Sequence, residues 1–229
     1  MRLKTIDVYL EIGQKRTFAA ALDWPGWCRS GRDEESALQA LFDYGSRYAR
    51  VLRASKLGFQ APKDITALIV TERLKGNTTT DFGAPGIPPS ADSRPVKAEE
   101  LHSFEKILNA CWRTFDASVK TVGGQKLSTG PRGGGRQLKG ILEHILGSDA
   151  GYLNQVGWKF RQDDKVDLDQ QLEQTRQAIL NALRASARGE IPAKGPRGGT
   201  RWTARYFIRR IAWHTLDHAW EIEDRMDSA

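Results

Sequence analysis

Two of the four histidines in this chain lie four residues apart, within a stretch of strong helical periodicity. His214 and His218 fall on the same side of the predicted helix as the aliphatic residues Ile211 and Ile222. At this spacing the two Cβ atoms lie about 5–6 Å apart on one helix face. A plain core helix seldom carries two imidazoles on its buried side, so the pair is a candidate metal site.

A third histidine, His144, lies on a separate amphipathic segment between Leu138 and Leu146. Three neutral imidazoles can hold a divalent first-row metal and leave positions for water or a substrate. The alternative for each histidine is a hydrogen-bonded residue of the core. The sequence HTLDH at 214–218 lacks the glutamate of the HExxH motif, so a zinc protease is disfavoured. His102, in the first turn of its helix, is not expected to be a ligand.

Four amphipathic segments supply the elements that must position these histidines. Apolar residues at helical spacing predict helices at residues 97–120, 136–156, 167–188 and 202–226. None of these helices can bury its apolar face alone, and four of them close most simply as a bundle. The sequence therefore predicts a C-terminal four-helix bundle.

The height of each histidine along its helix predicts the directions of the helices. At about 1.5 Å per residue, His144 lies about 12–15 Å into the second helix. His214 and His218 lie about 18–24 Å into a fourth helix of about 36 Å. The three side chains reach one height only if these two helices run in opposite directions. This predicts an up-down-down-up bundle, with a crossover that uses residues 157–166.

The first third of the chain has the pattern of a small α/β domain. Alternating apolar and polar residues predict two antiparallel strands at 5–12 and 17–22. A capped amphipathic helix is predicted over residues 37–52. A further strand is predicted at 65–73, and a short one at 78–82.

A proline-rich segment separates the two predicted regions. Residues 83–96 contain four of the nine prolines and predict an extended linker. The expected organisation is an α+β chain of two domains, with an α/β domain at 1–82 and the helical domain at 97–229.

The formal net charge of +7 raises the question of nucleic-acid binding. The basic excess is spread over both halves of the chain, without a zinc-finger, RNA-recognition or helix-turn-helix pattern, so nucleic acid is not the expected partner. Cys28 and Cys111 suggest neither a disulfide framework nor a thiolate metal site. No apolar run reaches the roughly 20 residues that span a bilayer. The first residues do not resemble a signal peptide, and a cytoplasmic protein is expected.

The N-terminal segment carries a short pattern of turn and helix-start residues. Pro25-Gly26 follows the two strands, and Gly31 and Glu34-Glu35 precede the helix. This pattern resembles the HicB-like domain, which implies a small α/β fold. HicB proteins typically carry a DNA-binding segment after this domain. No such segment follows here, so the antitoxin activity is not carried over.

His144, His214 and His218, together with the run AWHTLDHAWEIEDR at 212–225, resemble the DinB family of DinB/YfiT-like metalloenzymes. The resemblance covers roughly residues 97–229. It implies an up-down-down-up bundle, a divalent metal such as zinc or nickel on the three histidines, and frequent homodimers. It also implies a small-molecule substrate and transfer of a low-molecular-weight thiol onto an electrophile. The N-terminal domain departs from the single-domain pattern of the family.

Lewis-acid activation is the chemistry expected of such a site, because a bound metal lowers the pKa of a thiol or a water. Asp217 and Glu221 are candidate acceptors for imidazole N–H groups, with solvated surface charges as the alternative. Arg132 and Arg136, in the glycine-rich loop at 130–136, are candidates to bind a carboxylate of the substrate. No catalytic acid or base is assigned.

Two functions remain open from the sequence. The first is a metal-dependent transferase or hydrolase. The second is a non-catalytic binding or regulatory module, in which the HicB-like domain recognises a protein or nucleic acid and the helices are structural. Metal content distinguishes the two, since only the first requires a bound metal.

Overall fold

The computed structural model describes residues 5–129 and 135–227 of the chain. Within these residues it contains a four-stranded sheet and seven α-helices. The chain divides into two units, Met1–Arg94 and Pro95–Ala229. The sheet belongs to the first unit and the four longest helices belong to the second. The protein is therefore of mixed α and β class, as predicted. Among the described residues, no helix combines the length and hydropathy that crossing a membrane requires.

The sheet of the first unit has the strand order β3-β2-β1-β4. Its strands are β1 (Ile6–Ile12), β2 (Thr17–Ala21), β3 (Cys28–Gly31) and β4 (Leu68–Lys75). β1 pairs antiparallel with β2 and parallel with β4. The predicted hairpin is confirmed, and its turn closes through a hydrogen bond of 2.9 Å from the Gly13 amide to the Arg16 carbonyl. The sequence does not predict β3, whose four residues lack apolar and polar alternation.

Two helices follow the first three strands where one was predicted over residues 37–52. α1 (Glu34–Asp43) begins at Asp33, whose carboxylate accepts a hydrogen bond from the Ser36 amide at 2.8 Å. α2 (Gly45–Leu52) begins directly after Tyr44.

The prediction of a short strand at 78–82 is wrong, because Thr78–Phe82 forms the helix α3. The Asn77 side chain accepts hydrogen bonds from the Thr79 amide at 2.8 Å and the Thr80 amide at 3.3 Å. These bonds satisfy the free amides of a helix start, which a run of threonines does not reveal in the sequence.

The structure differs from the predicted linker at 83–96, because residues 83–94 belong to the first unit. A fully buried carboxylate on β1, Glu11, holds this segment. It accepts hydrogen bonds from the Gly86 amide at 2.8 Å, from the Ile87 amide at 3.0 Å and from the Thr80 hydroxyl. The Glu11 side chain thus binds a proline-rich segment 75 residues later in the chain.

The four helices of the second unit lie within a few residues of their predicted positions. They are α4 (Ala98–Val122), α5 (Leu138–Val156), α6 (Leu168–Ala187) and α7 (Ala204–Asp227). Apolar side chains from α4, α5, α6 and α7 share one buried cluster, which includes Phe115, Leu142, Leu172 and Ile222.

Polar contacts near the helix ends give the relative directions of α4, α6 and α7. Glu100 at the start of α4 binds Arg205 at the start of α7 at 2.7 Å, and Ser118 near the end of α4 donates to Glu223 near the end of α7 at 3.0 Å. α4 and α7 therefore run in the same direction. α6 runs opposite to α4, because the ion pairs Glu105–Arg184 and Asp116–Arg176 join the helices in reverse order.

α5 and α7 also run in opposite directions. The Trp202 amide, just before α7, donates to the Gln155 carbonyl near the end of α5 at 3.0 Å. Arg225, near the end of α7, donates to the Arg136 carbonyl just before α5 at 2.8 Å. α5 and α6 thus both run opposite to α4 and α7.

Asp149 is a buried carboxyl group on α5 that the sequence does not single out. The side chain is 3% exposed, and its Oδ1 has no hydrogen-bond partner among the described residues. Burial raises the pKa of Asp149 to about 7, although the nearby Arg176 guanidinium opposes the shift. The carboxyl group therefore keeps its proton to a much higher pH than an ordinary aspartic acid.

Glu11→Ala should lower the free energy of unfolding by about 2–5 kcal/mol, because the buried Thr80 hydroxyl and two partly buried amides lose their acceptor. Hydrogen–deuterium exchange should rise at residues 83–94. Glu72→Ala is the matched control, because Glu72 holds the same segment through an exposed bond to the Ser90 amide at 3.0 Å. Its loss should be below about 1 kcal/mol. Equal effects of the two variants would contradict the role given to Glu11.

Asp149→Asn should flatten the dependence of stability on pH. The pKa of Asp149 is raised in the folded protein, from an ordinary value of 3.8 to about 7, so its contribution to stability is full below pH 4 and is lost as the pH rises to about 7. The loss amounts to at most about 4 kcal/mol, at 1.4 kcal/mol per pKa unit. Denaturation measured at several pH values should show this loss of stability in the wild type only.

Glu143→Gln provides the control for this measurement, because Glu143 is an exposed acid on the same helix. Its pH profile should follow that of the wild type. A wild-type slope that persists unchanged in Asp149→Asn would show that other groups cause it.

Candidate metal centre

The structure brings the three predicted histidines together between α5 and α7. The Nε2 atom of His214 lies 3.1 Å from Nε2 of His144 and 3.2 Å from Nε2 of His218. One ring nitrogen from each of the three residues lies within 4.8 Å of the other two. The fourth histidine, His102, is exposed near the start of α4.

The three histidines come together because α5 and α7 run in opposite directions. His144 lies six residues, or about 9 Å, after the start of α5. His218 lies nine residues, or about 14 Å, before the end of α7. A turn of helix separates His214 from His218, and both rings reach the His144 ring with centroid distances of 5.0 Å. Parallel helices would place His144 and the pair at different heights.

Hydrogen bonding within the cluster cannot satisfy both short contacts of His214. A neutral imidazole nitrogen carries either one proton or one lone pair, so His214 Nε2 can form only one good hydrogen bond. The second neighbour, also at hydrogen-bond distance, is then left without a well-directed hydrogen bond to this nitrogen. Nitrogen atoms that converge in this way are better satisfied by a cation that accepts all of their lone pairs.

Two of the three nitrogen separations match the requirements of one transition metal ion, while the third, between His144 and His218, lies within 4.8 Å. Such an ion holds imidazole nitrogens at about 2.0–2.1 Å, which places two ligands about 3.0 Å apart at a right angle and about 3.4 Å apart at the tetrahedral angle. The separations of 3.1 Å and 3.2 Å lie between these values. His144, His214 and His218 could therefore hold one ion and leave at least one position open.

Burial keeps two of the rings neutral. It lowers the pKa of His214 well below the usual value, and the charges of His218, His144 and Arg210 add to this effect. The pKa of His144 is lowered by burial first, and then by the charges of His218 and Arg136. Neutral rings offer lone pairs to a metal near pH 7 without first losing a proton.

Glu221 fixes the orientation of His218. Its Oε2 lies 2.7 Å from His218 Nδ1, three residues earlier on α7. Burial tends to raise the pKa of Glu221, but the hydrogen bonds from His218 and Arg225 outweigh it and hold the pKa below its usual value. An ionised carboxylate at Nδ1 places the imidazole proton there and leaves Nε2 with a free lone pair. The other predicted acceptor, Asp217, is half-buried on α7 next to His218.

Arg225 completes this group and is a residue that the sequence analysis does not identify. Its guanidinium donates to Glu221 Oε1, to the Ser128 carbonyl and to the Arg136 carbonyl, each at 2.8 Å. The spacing of four between Glu221 and Arg225 is the one sequence signal for the contact. The two backbone partners are distant in the chain and give no such signal.

The structure describes only one of the two arginines that were predicted to bind the substrate. Arg132 lies outside the described residues. Arg136 is exposed just before α5, and its charge lies close enough to lower the pKa of both His144 and His214. A cation at this place favours an anionic molecule next to the histidines.

A buried arginine and aromatic rings flank the other side of His214. Arg210 donates to the Tyr152 hydroxyl at 3.1 Å and lies 5.0 Å from the centre of the Trp213 ring. The Tyr152 ring meets the His214 ring at 5.8 Å. The Trp213 ring lies 5.9 Å from the His214 ring and thus packs beside the cluster.

A cavity of about 270 Å³ lies elsewhere in the second unit, between α4, α5 and α6. Its walls include Phe115, Leu142, Leu172 and the Asp116–Arg176 ion pair. None of the three histidines lines it. Volume alone therefore does not identify this cavity as the reactive site.

Comparison of the chain with protein-family models, with curated proteins and with solved structures finds no match. The resemblances to the DinB family and to HicB-like domains therefore stay predictions made from the residues.

Proposed function

We propose that this protein is a divalent-metal-dependent enzyme whose ion is held by His144, His214 and His218. Zinc and nickel are the proposed metals, because both accept imidazole ligands. A bound ion of this kind lowers the pKa of a thiol or a water, which makes an anionic nucleophile available near neutral pH. The proposed reaction is transfer of a small thiol onto an electrophile, or hydrolysis, with a small molecule as the substrate.

One observation carries this proposal: His214 Nε2 lies within 3.2 Å of two other imidazole nitrogens. Such convergence exceeds the hydrogen-bonding capacity of the nitrogen, while it suits a shared cation. The lowered pKa values of His144 and His214 support the proposal, because neutral rings are the ligand form. The alternative of a purely structural helical unit requires hydrogen-bonded core histidines, and this geometry disfavours them.

We also propose that α4–α7 form an up-down-down-up four-helix bundle, the arrangement that the resemblance to the DinB family implies. The end-to-end contacts support it, since α5 and α6 run opposite to α4 and α7. In this bundle the crossover between α5 and α6 uses the segment that follows Gly157, a glycine with a left-handed φ of 89° at the end of α5.

The chain's own residues have separate proposed tasks in the reaction. Glu221 keeps the proton of His218 on Nδ1. Arg136 attracts the anionic substrate and binds its carboxylate. The aromatic side chains Tyr152 and Trp213 exclude water from the buried side of His214.

The purified protein should contain about one zinc or nickel ion per chain after supplementation, because three imidazoles and open positions suit one ion. His214→Ala should reduce the affinity for the metal by about a hundredfold or more, since it removes the central ligand. Elemental analysis and competition with a chelator measure both quantities.

His102→Ala is the matched control, because His102 is an exposed histidine of the same unit. It should keep the wild-type metal content. A wild-type protein that binds neither metal after supplementation would overturn the proposed function.

Arg136→Ala should weaken the binding of a carboxylate-bearing thiol, such as mercaptoacetate, to the Co²⁺-loaded protein by roughly three- to tenfold. A neutral thiol, 2-mercaptoethanol, should bind the variant and the wild type equally. Thiolate-to-metal charge-transfer absorption reports the binding of each. Absence of this absorption with both thiols would favour water as the nucleophile, and equal weakening for both would remove the anion-binding role of Arg136.

A further inference from the structure

A continuous set of polar contacts leads from the histidine cluster to the carbonyls of Ser128 and Arg136. His218 Nδ1 bonds to one oxygen of Glu221, and the other oxygen bonds to Arg225. Arg225 also bonds to the carbonyls of Ser128 and Arg136. We propose that Arg225 is a positioning residue that acts through Glu221 to fix the metal-binding orientation of His218. This inference rests on the proposed metal centre.

Glu221 needs a second partner to do this task. Its side chain is 33% exposed and has three rotatable bonds, so a single hydrogen bond to His218 leaves it other conformations. Oε2 accepts from His218 at 2.7 Å and Oε1 accepts from Arg225 at 2.8 Å. The spacings of three and four residues put all three side chains on one face of α7. With both oxygens engaged, the carboxylate is held in one orientation.

Arg225 is itself held firmly and is 5% exposed. Its Nε donates to the Ser128 carbonyl and its Nη1 to the Arg136 carbonyl. In return, the Ser128 hydroxyl donates to the Arg225 carbonyl at 2.6 Å. The planar guanidinium can meet three acceptors in fixed directions, which a lysine ammonium on a flexible chain cannot do. The geometry thus requires arginine at this position.

The backbone at Gly135 lies close to the guanidinium of Arg225. Gly135 has a φ of 130°, and a Cβ atom there would lie 2.9 Å from the guanidinium carbon of Arg225. A side chain at 135 would therefore require the guanidinium of Arg225 or the backbone at 135 to shift. The glycine next to Arg136 is thus part of the same arrangement.

A double-mutant cycle in metal affinity separates positioning from plain structural support. Glu221→Ala should weaken Zn²⁺ binding by about 10- to 100-fold, the usual effect of losing a carboxylate behind a metal-binding histidine. Arg225→Lys should weaken binding in the wild-type background, by about three- to tenfold. In the Glu221→Ala background the same substitution should have no further effect, because Arg225 acts through Glu221. Chelator competition measures all four affinities.

The absorption spectrum of the Co²⁺-loaded protein reports the coordination of the metal and does not change with the general stability of the protein. Arg225→Lys and Glu221→Ala should shift the d–d bands in the same direction, because both release the His218 ring. Arg176→Lys is the matched control, since Arg176 makes a two-bond contact to Asp116 in the same unit, apart from the cluster. It should leave affinity and spectrum unchanged.

The possible results distinguish this inference from the proposed function. If the wild type binds no Zn²⁺ or Co²⁺, both are overturned. If the wild type binds metal but Arg225→Lys weakens binding equally in both backgrounds, or in neither, the metal centre stands and the positioning role of Arg225 is overturned. Circular dichroism of each variant shows that it is folded.

Discussion

The opposite directions of α5 and α7 determine where three imidazoles can meet. Two of them share α7 at a spacing of one turn, and the third reaches them from α5. The helix directions are in turn fixed by contacts at both ends, from Trp202 to Gln155 and from Arg225 to Arg136. The cluster therefore depends on the packing of the whole helix pair more than on any loop.

Burial shifts the pKa values of a histidine and an acid in the second unit in opposite directions. It lowers the pKa of His214, which favours the neutral imidazole, and it raises the pKa of Asp149, which favours the neutral carboxyl group. Glu221 behaves differently from Asp149. Its two hydrogen-bond donors, His218 and Arg225, keep it ionised despite partial burial. The charge of one carboxylate is thus retained where it faces a histidine.

The sequence predicts the parts of this arrangement that depend on local periodicity. Helical spacing locates α4–α7 and places His214 and His218 on one face, and the height of His144 predicts the opposite directions of α5 and α7. Contacts between residues far apart in sequence are not predictable in this way. Glu11 binds the amide of Gly86, 75 residues later, and turns a proline-rich segment into part of the first unit. Arg225 finds its carbonyl partner at Arg136, 89 residues earlier.

The spacings of four side chains along α7 give a sequence pattern by which other chains with the same arrangement can be recognised. His214, His218, Glu221 and Arg225 follow one another at intervals of four, three and four residues. Each interval corresponds to about one turn, so a helix with the pattern H-x3-H-x2-E-x3-R presents two histidines, a carboxylate and an arginine along a single stripe. The pattern, combined with a glycine before the helix that supplies the third histidine, describes the centre more narrowly than the histidine pair alone.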